Sequence, residues 1–575
     1  MLNKISIVLL CAATAVAAKA QDLRQEVTVD HEVVPERTDV SRLGYTPVVD
    51  LPRLSAPRLD YSARTVNVTV PPAIEQLSPA AYADTLYTTP WRGYVAAGFF
   101  PLYNAGASAG YKFLDTDHTR LSAFMQYNGS LYHGRYPNTT GSRRWVRNNT
   151  LTLDLALHQA VGSKSFIDAG ADMAIAHYNM PNGTNLGPQN MTRIGVQANF
   201  SSTAGPVDYT AGVRYHHFSY SNTVLTERPD RNLYKPVNEN IFGVSGKARM
   251  KFDQYSAIGL DADLSVVANT RRTDALFSFI TRDYQFSLYD NGGDYTHALI
   301  TLKPFYRFEI NKFRLDLGAR IDFTIHSGKA FHAAPDIRAT WKPTSMLALY
   351  AKAGGGEHQN TLRSLYGVTP YAQTMMAYTN SHIPLTLEGG ITLGSWKGAW
   401  LEAAVCYARA NDWLMPVTDA SAITVFKPID MRGYHWRVAA GYTYRRLAEL
   451  TVSCEGAPQG YDKGYYLWRD RARVVLGGQL KVTPIKPLDL LLTYELRTNR
   501  TMIDHVGSPA PDVKPYRVSY SLGAVNNLSI GGNYRFTDRL SAFATFSNIL
   551  CQRHSLPGLV ENQTFHGLLG VSYKF

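Results

Sequence analysis

The chain has 575 residues, a formal net charge of +12 and 45% hydrophobic residues, enough for several soluble domains or for one large closed sheet. Its four cysteines lack the short spacing of a metal or redox motif, which sets those chemistries aside. The 36 Tyr against 23 Phe suit a boundary where one end of the ring is apolar and the other wet.

Residues 1–20 read as an export signal: Lys4 gives a positive start, residues 5–17 an apolar run, and Ala18-Lys19-Ala20 the small residues before a cut at Gln21. The run is shorter than the roughly 20 residues of a membrane-spanning helix, and no other segment has that pattern. Leu10 stands before Cys11 where a lipoprotein signal wants a small residue. Loss of Lys4 and Lys19 lowers the charge from +12 to +10. An exported basic chain seldom meets nucleic acid, and its charge reads either as attraction to lipid phosphates or as a generic basic surface. The remaining cysteines, Cys406, Cys454 and Cys551, are odd in number and read as small strand residues.

Residues 21–90 are Pro-rich, which argues against helix or central strand and predicts an extended segment leaning on something else. From Trp91 onward one period repeats to the end. In "KFRLDLGARIDFTIH", Phe313, Leu315, Leu317, Ala319, Ile321, Phe323 and Ile325 alternate with Arg314, Asp316, Gly318, Arg320, Asp322 and Thr324. Successive strand side chains point to opposite faces, so one face is greasy and the other charged. The segments "NTLTLDLALH", "AIGLDADLSVV", "RGYHWRVAAGYTYRR" and "PLDLLLTYELRTN" do the same.

These runs suit the 9–11 residues of a bilayer-crossing strand better than the 5–6 of a soluble one. Connections also alternate in length. Short turns are predicted at Asp115-Thr116-Asp117, Gly162-Ser163-Lys164, Ala204-Gly205-Pro206, Asn311-Lys312, Pro343-Thr344 and Thr537-Asp538. Longer stretches fall near 132–148, 180–190, 221–238, 270–292, 356–384, 412–431, 457–467 and 500–515. Hydrocarbon offers no partner for a free N–H or C=O, so a sheet in lipid must close on itself. A soluble sandwich also alternates, but the strand lengths, the loop rhythm and the export signal favour the barrel. The prediction is an all-β, transmembrane antiparallel β-barrel of about 22 strands, roughly 18 to 24 by boundary choice, over residues 91–575.

The stretch "NNLSIGGNYRFTDRLSAFATFSNILCQRHSLPGLVENQTFHGLLGVSYKF" resembles the last three strands of TonB-dependent outer-membrane receptors. A Tyr-Arg-Phe strand turns through Thr537-Asp538, the next carries Asn548-Ile549-Leu550, and the last ends in an aromatic. By that resemblance Gly567, Leu569, Val571, Tyr573 and Phe575 form a carboxy-terminal signal for the outer-membrane assembly machinery. The resemblance is strong over roughly the last 60 residues and diffuse elsewhere. It departs at the start, where about 70 residues stand in place of a plug domain of more than a hundred. "EVTVDHEVV" has the flavour of a TonB-contacting box. The chain looks closest to smaller, plug-poor relatives of these receptors.

The resemblance implies the bacterial outer membrane, with outer-membrane lipid and lipopolysaccharide as surroundings. A TonB-type energy coupler or other envelope proteins are the expected partners, and nutrient uptake or passage the expected work. The alternatives are a structural barrel subunit of an envelope complex and a passive porin. A barrel this wide needs an occluder. Residues 21–90 are one candidate and the long loops another. The loop with Leu365, Tyr366, Tyr371, Met375, Met376 and Tyr378, and that with Phe277, Phe279, Tyr284, Phe286 and Tyr289, either contact ligand or pack on each other over the mouth. Arg314, Asp316, Arg320 and Asp322 share one face and either line a path or form cross-strand pairs.

No nucleophile elbow, zincin motif or phosphate loop occurs, so no enzyme, cofactor or metal is expected. His216 and His217 are adjacent and point apart on a strand. "DNGGD" at 290–294 reads as a turn rather than a calcium loop, and Glu402, Asp412 and Asp430 have no defined partners in the sequence.

Overall fold

The computed structural model describes residues 91–101, 104–135, 143–180, 188–221, 237–271, 295–372, 379–418, 424–445, 447–456, 472–498, 500–505, 517–554 and 560–575. The export signal, the Pro-rich segment, the TonB-box-like run and the loop of Phe277 to Tyr289 lie outside those residues.

The strands are β1 (Gly93–Phe100), β2 (Asn104–Asp115), β3 (Thr119–Arg135), β4 (Arg143–Ala160), β5 (Ser165–Tyr178), β6 (Gln189–Ala204), β7 (Val207–Tyr220) and β8 (Val237–Lys251). Next come β9 (Ser256–Arg271), β10 (Tyr295–Ile310), β11 (Phe313–Ile325), β12 (Phe331–Thr344), β13 (Leu347–His358), β14 (Ser381–Trp396), β15 (Ala399–Thr418) and β16 (Thr424–Tyr444). The last are β17 (Ala448–Gly456), β18 (Val474–Ile485), β19 (Leu488–Thr498), β20 (Arg500–His505), β21 (Arg517–Leu522), β22 (Val525–Arg535), β23 (Leu540–Ser547) and β24 (His566–Lys574). Strands β20 and β21 form a separate hairpin, and the other 22 make one antiparallel sheet. That sheet closes because β24 pairs with β1, leaving no edge, as lipid demands.

The terminal Phe575 is part of this closure. Its N–H donates to the Gly93 carbonyl and its carbonyl accepts from the Gly93 N–H, both at 3.0 Å. Its ring stacks on Tyr111 at 6.0 Å. Leu569, Val571, Tyr573 and Phe575 are exposed on the outer face, while Ser572 is buried inside and Gly567 is covered by Phe546. Around the short-turn rim Phe113, Phe252, Tyr255, Trp341, Trp396, Tyr444 and Phe536 are exposed as well. This is an aromatic girdle at one membrane interface, and the last residue belongs to it.

The predicted face assignment holds along β11: Leu317, Phe323 and Ile325 are exposed, and Asp322 is fully buried. Short connections at 116–118, 161–164, 205–206, 311–312 and 536–539 lie at one rim. The turn expected at Pro343-Thr344 falls at 345–346, because β12 runs through Thr344. The long stretch expected at 412–431 is a correction: β15 and β16 have 20 and 21 residues and leave only 419–423 between them. They stay paired well past the 9–11 residues that lipid requires, because the ladder continues above the membrane. The stretch at 132–148 shortens likewise to 136–142 between β3 and β4, and 500–515 begins as strand β20. Cys406 and Cys454 are strand residues as expected, but Cys551 sits in an exposed turn with a left-handed φ of 52°.

Candidate functional site

The connection from β13 to β14 does not stay at the rim. Its first part forms a helix, α1 (Leu362–Val368), capped by Thr361, whose side chain accepts from the Ser364 N–H while Ser364 returns a bond to the Thr361 N–H. A second cap comes from the far wall. The fully buried carboxylate of Glu239 on β8 accepts the N–H groups of Leu362 at 2.7 Å and Arg363 at 3.1 Å. These N–H groups have no partner inside the helix, and a negative charge suits that end of its dipole.

Apolar contacts hold α1 on two sides. Leu362 and Tyr371 join a buried cluster with Tyr132, Val146, Tyr178, Phe218, Tyr220 and Val237, all on β3 to β8. Tyr366 packs against Phe218, Tyr220 and Tyr178 with ring centroids at 5.7, 6.1 and 6.3 Å. The Tyr178 hydroxyl donates to the Pro370 carbonyl at 2.8 Å. Leu365 and Ala372 pack instead on Leu414 of β15 and Phe426 of β16. The Thr424 N–H donates to the Tyr371 carbonyl at 2.9 Å. Strands β6 and β16 are near-opposite in the ring of 22, so the segment from Thr361 to Ala372 crosses the bore.

Tyr366 and Tyr371 of this loop therefore pack on the barrel wall rather than only on other loops. Tyr366 and Tyr371 are brought together with the wall aromatics, and Met375, Met376 and Tyr378 lie outside the described residues. Burial pushes the Tyr366 hydroxyl well above the usual phenol range, so it stays protonated. The connection from β23 to β24 adds cover: Val560 joins the same cluster, and the Glu561 carbonyl accepts the Tyr132 hydroxyl at 3.1 Å. In that connection Asn548 takes a left-handed φ of 49° and donates to the carbonyls of Gln552 and Gln563 at 2.8 and 3.1 Å.

The other half of the inner wall is charged. Arg314, Asp316, Arg320 and Asp322 share the inner face of β11, and each is paired. Arg307 of β10 donates to Asp316 at 2.6 Å, with Arg314 at 3.2 Å. Arg320 meets Asp322 at 2.9 Å and donates to the Glu357 carbonyl at 2.6 Å. Asp322 also accepts the Thr301 hydroxyl at 2.5 Å and the Glu357 N–H at 2.7 Å. Glycine makes such crossings possible. A Cβ at Gly243 would overlap the Arg214 guanidinium, which passes over β8 to hold Asp263 of β9 through two bonds of 2.6 and 2.8 Å. Glu402 pairs with Arg437, and Asp430 accepts the Asp412 N–H at 3.1 Å. His217 contacts Asn240 at 2.9 Å on the face opposite His216.

Among the described residues one group has the chemistry to hold a cation: His332, Glu357 and His382, on β12, β13 and β14. The sequence reading missed it, because its three members are far apart in the chain and become neighbours only through strand register. It missed α1 as well, for which Thr361 and Ser364 at capping-box spacing are the one local signal.

A bore closed by 22 strands, apolar outside and ion-paired inside, is the architecture of an outer-membrane β-barrel. No protein-family model matches the chain, and no curated protein matches its sequence. Solved structures share its fold. The FrpB iron transporter of Neisseria meningitidis aligns with a TM-score of 0.64 at 11% identity, over 86% of this chain and 82% of the other. The siderophore receptor PirA of Acinetobacter baumannii aligns at 0.62 and 10% identity, over 84% and 80%. The ferric enterobactin receptor PfeA of Pseudomonas aeruginosa, a mutant form, gives the same four values, 0.62, 10%, 84% and 80%.

Proposed function

We propose that the protein takes up a nutrient across the outer membrane, with the segment from Thr361 to Ala372 as a gate that must move for passage. The observation that carries this reading is the crossing segment itself. A bore of 22 strands is crossed by a segment with one short helix, held through the Glu239 carboxylate, the Tyr178 and Thr424 hydrogen bonds to its main chain and two apolar clusters. The solved structures named above that share this fold are an iron transporter and siderophore receptors, so iron chelates are the first substrate class to try. Movement of such a gate needs work, and a TonB-type coupler is the natural source. The exposed apolar residues of β24 serve the assembly machinery in this reading.

The test is growth of a deletion strain under iron limitation and then under other single-nutrient limitations. A defect cured by excess of that nutrient, and reproduced by loss of the energy coupler, supports uptake. A stoichiometric set of envelope partners with no nutrient defect overturns it in favour of a structural subunit. A large steady conductance of the purified full chain in planar bilayers overturns it in favour of a porin.

A further inference from the structure

We propose that His332, Glu357 and His382 bind a divalent transition-metal ion of the zinc class, fastening the base of the crossing loop. This goes beyond the uptake reading and does not depend on it.

Strand register decides where Glu357 points. Lys352 of β13 pairs with Glu388 of β14 on the inner face, so simple alternation would send Glu357 outward. A bulge between Gly354 and Gly356 shifts the β13 phase by one residue. Gly356 takes a φ of +120°, open to glycine, and Glu357 then faces inward opposite His382. Bulges re-aim side chains in this way beside functional sites. Both backbone groups of Glu357 are then fixed: its N–H donates to Asp322 at 2.7 Å, and its carbonyl accepts from Arg320 at 2.6 Å. A Cβ at Gly356 would overlap that same Arg320. The backbone is thus pinned by neighbours that leave the carboxylate untouched.

The carboxylate faces two imidazoles. The Glu357 side chain is only 3% exposed. Its Oε1 lies 2.8 Å from His382 Nδ1 and 3.3 Å from His332 Nε2, yet Oε1 and Nδ1 are both buried without a hydrogen bond. The imidazoles are 12% and 15% exposed and stand 3.9 Å apart, too close for two cations to be comfortable. All three donor atoms fall within 4.8 Å of one another. A tetrahedral ion with bonds of about 2.0–2.1 Å places its donors roughly 3.3 Å apart. Two imidazoles and a carboxylate are a borderline-soft set suited to zinc, with a fourth position left for water from the bore. Asp412, left-handed at a bulge in β15, brings a second negative charge near Glu357 and His382. An ion would neutralise this buried charge, which otherwise carries a desolvation cost.

Placement gives the ion a role. Glu357 and His382 stand just before and just after the residues that leave the wall to cross the bore. A shared ion therefore ties the two ends of that loop together and to β12.

The test uses the full chain in detergent, stripped with a chelator and titrated with Co2+ and then Zn2+. The expected result is one Co2+ per chain with d–d absorption bands, displaced by Zn2+ and retained in excess Mg2+. Glu357→Gln and His382→Ala should each weaken Zn2+ binding by about tenfold or more, with heat-modifiable gel migration confirming that they still assemble. Zn2+ should slow proteolysis within 359–380 in the native chain and not in Glu357→Gln. Absence of the Co2+ bands in the native chain overturns the proposal in favour of a plain ion pair. Zn2+ binding unchanged in both variants overturns it as well.

Discussion

The two halves of the inner wall solve different problems. From β3 to β8 the outer end of the bore presents Tyr132, Val146, Tyr178, Phe218 and Tyr220, all nearly fully buried beneath α1. From β10 to β14 the inner wall carries the cross-strand pairs Arg307–Asp316 and Lys352–Glu388 and, along β11 itself, the pair Arg320–Asp322. Strands β4 to β8 carry ion pairs too, Arg193–Asp172 and Arg249–Asp208 among them, but the burial of the aromatic cluster depends on a segment lent by a distant part of the chain. The charged half pairs most of its charges within the wall. The crossing segment docks on the aromatic cluster and the Glu239 carboxylate.

That contrast can be broken at several strengths. Replacing residues 362–372 by a short flexible linker should raise single-channel conductance by roughly tenfold or more, since a bore of this class is open once unplugged. An unchanged low conductance would mean that something else fills the bore. Phe218→Ala removes a ring that touches Tyr220 at 5.0 Å and Tyr366 at 5.7 Å. It should loosen the docked segment by about 3 kcal/mol, read as faster protease cleavage within 359–380, while the barrel keeps its heat-modifiable migration.

The third expectation concerns pH. Burial, reinforced by Arg500 and Arg497, pushes His554 down to about 4. The unfolded group titrates near 6.5, so the unfolded state binds more protons between these values and stability falls as pH drops. The connection from β23 to β24 should be protected above about pH 6.5 and lose up to about 3 kcal/mol of local stability by pH 4. His554→Gln should flatten that profile, and proteolysis across the range measures it. The smallest effect belongs to the charged half. Arg307→Ala leaves Asp316 with Arg314 at 3.2 Å, so denaturant unfolding in detergent should shift by under about 1 kcal/mol. A larger loss from Arg307→Ala than from Phe218→Ala would reverse the comparison.

Much of this molecule is local and therefore readable from residues alone. Alternation along β11 or β19 separates an oily from a polar face within a dozen residues, and hydrocarbon leaves a sheet no option but closure. A count of about 22, within roughly 18 to 24, is readable and the sheet has 22, and Phe575 is a terminal aromatic on the outer face. The turn at Thr537-Asp538 has local chemistry too, with the Thr537 hydroxyl accepting the Leu540 N–H at 2.9 Å.

The site is a different matter. Glu239 meets Leu362 across 123 residues, and Tyr178 meets Pro370 across 192. No period in the sequence encodes such pairs, because they depend on which strands stand opposite each other once the ring has closed. The inward turn of Glu357 likewise hangs on one bulge, which shifts phase without altering composition. Strand pattern and membrane physics thus determined the barrel from sequence, whereas the contents of the bore were decided by closure, which alone brings the two walls within reach of one short helix.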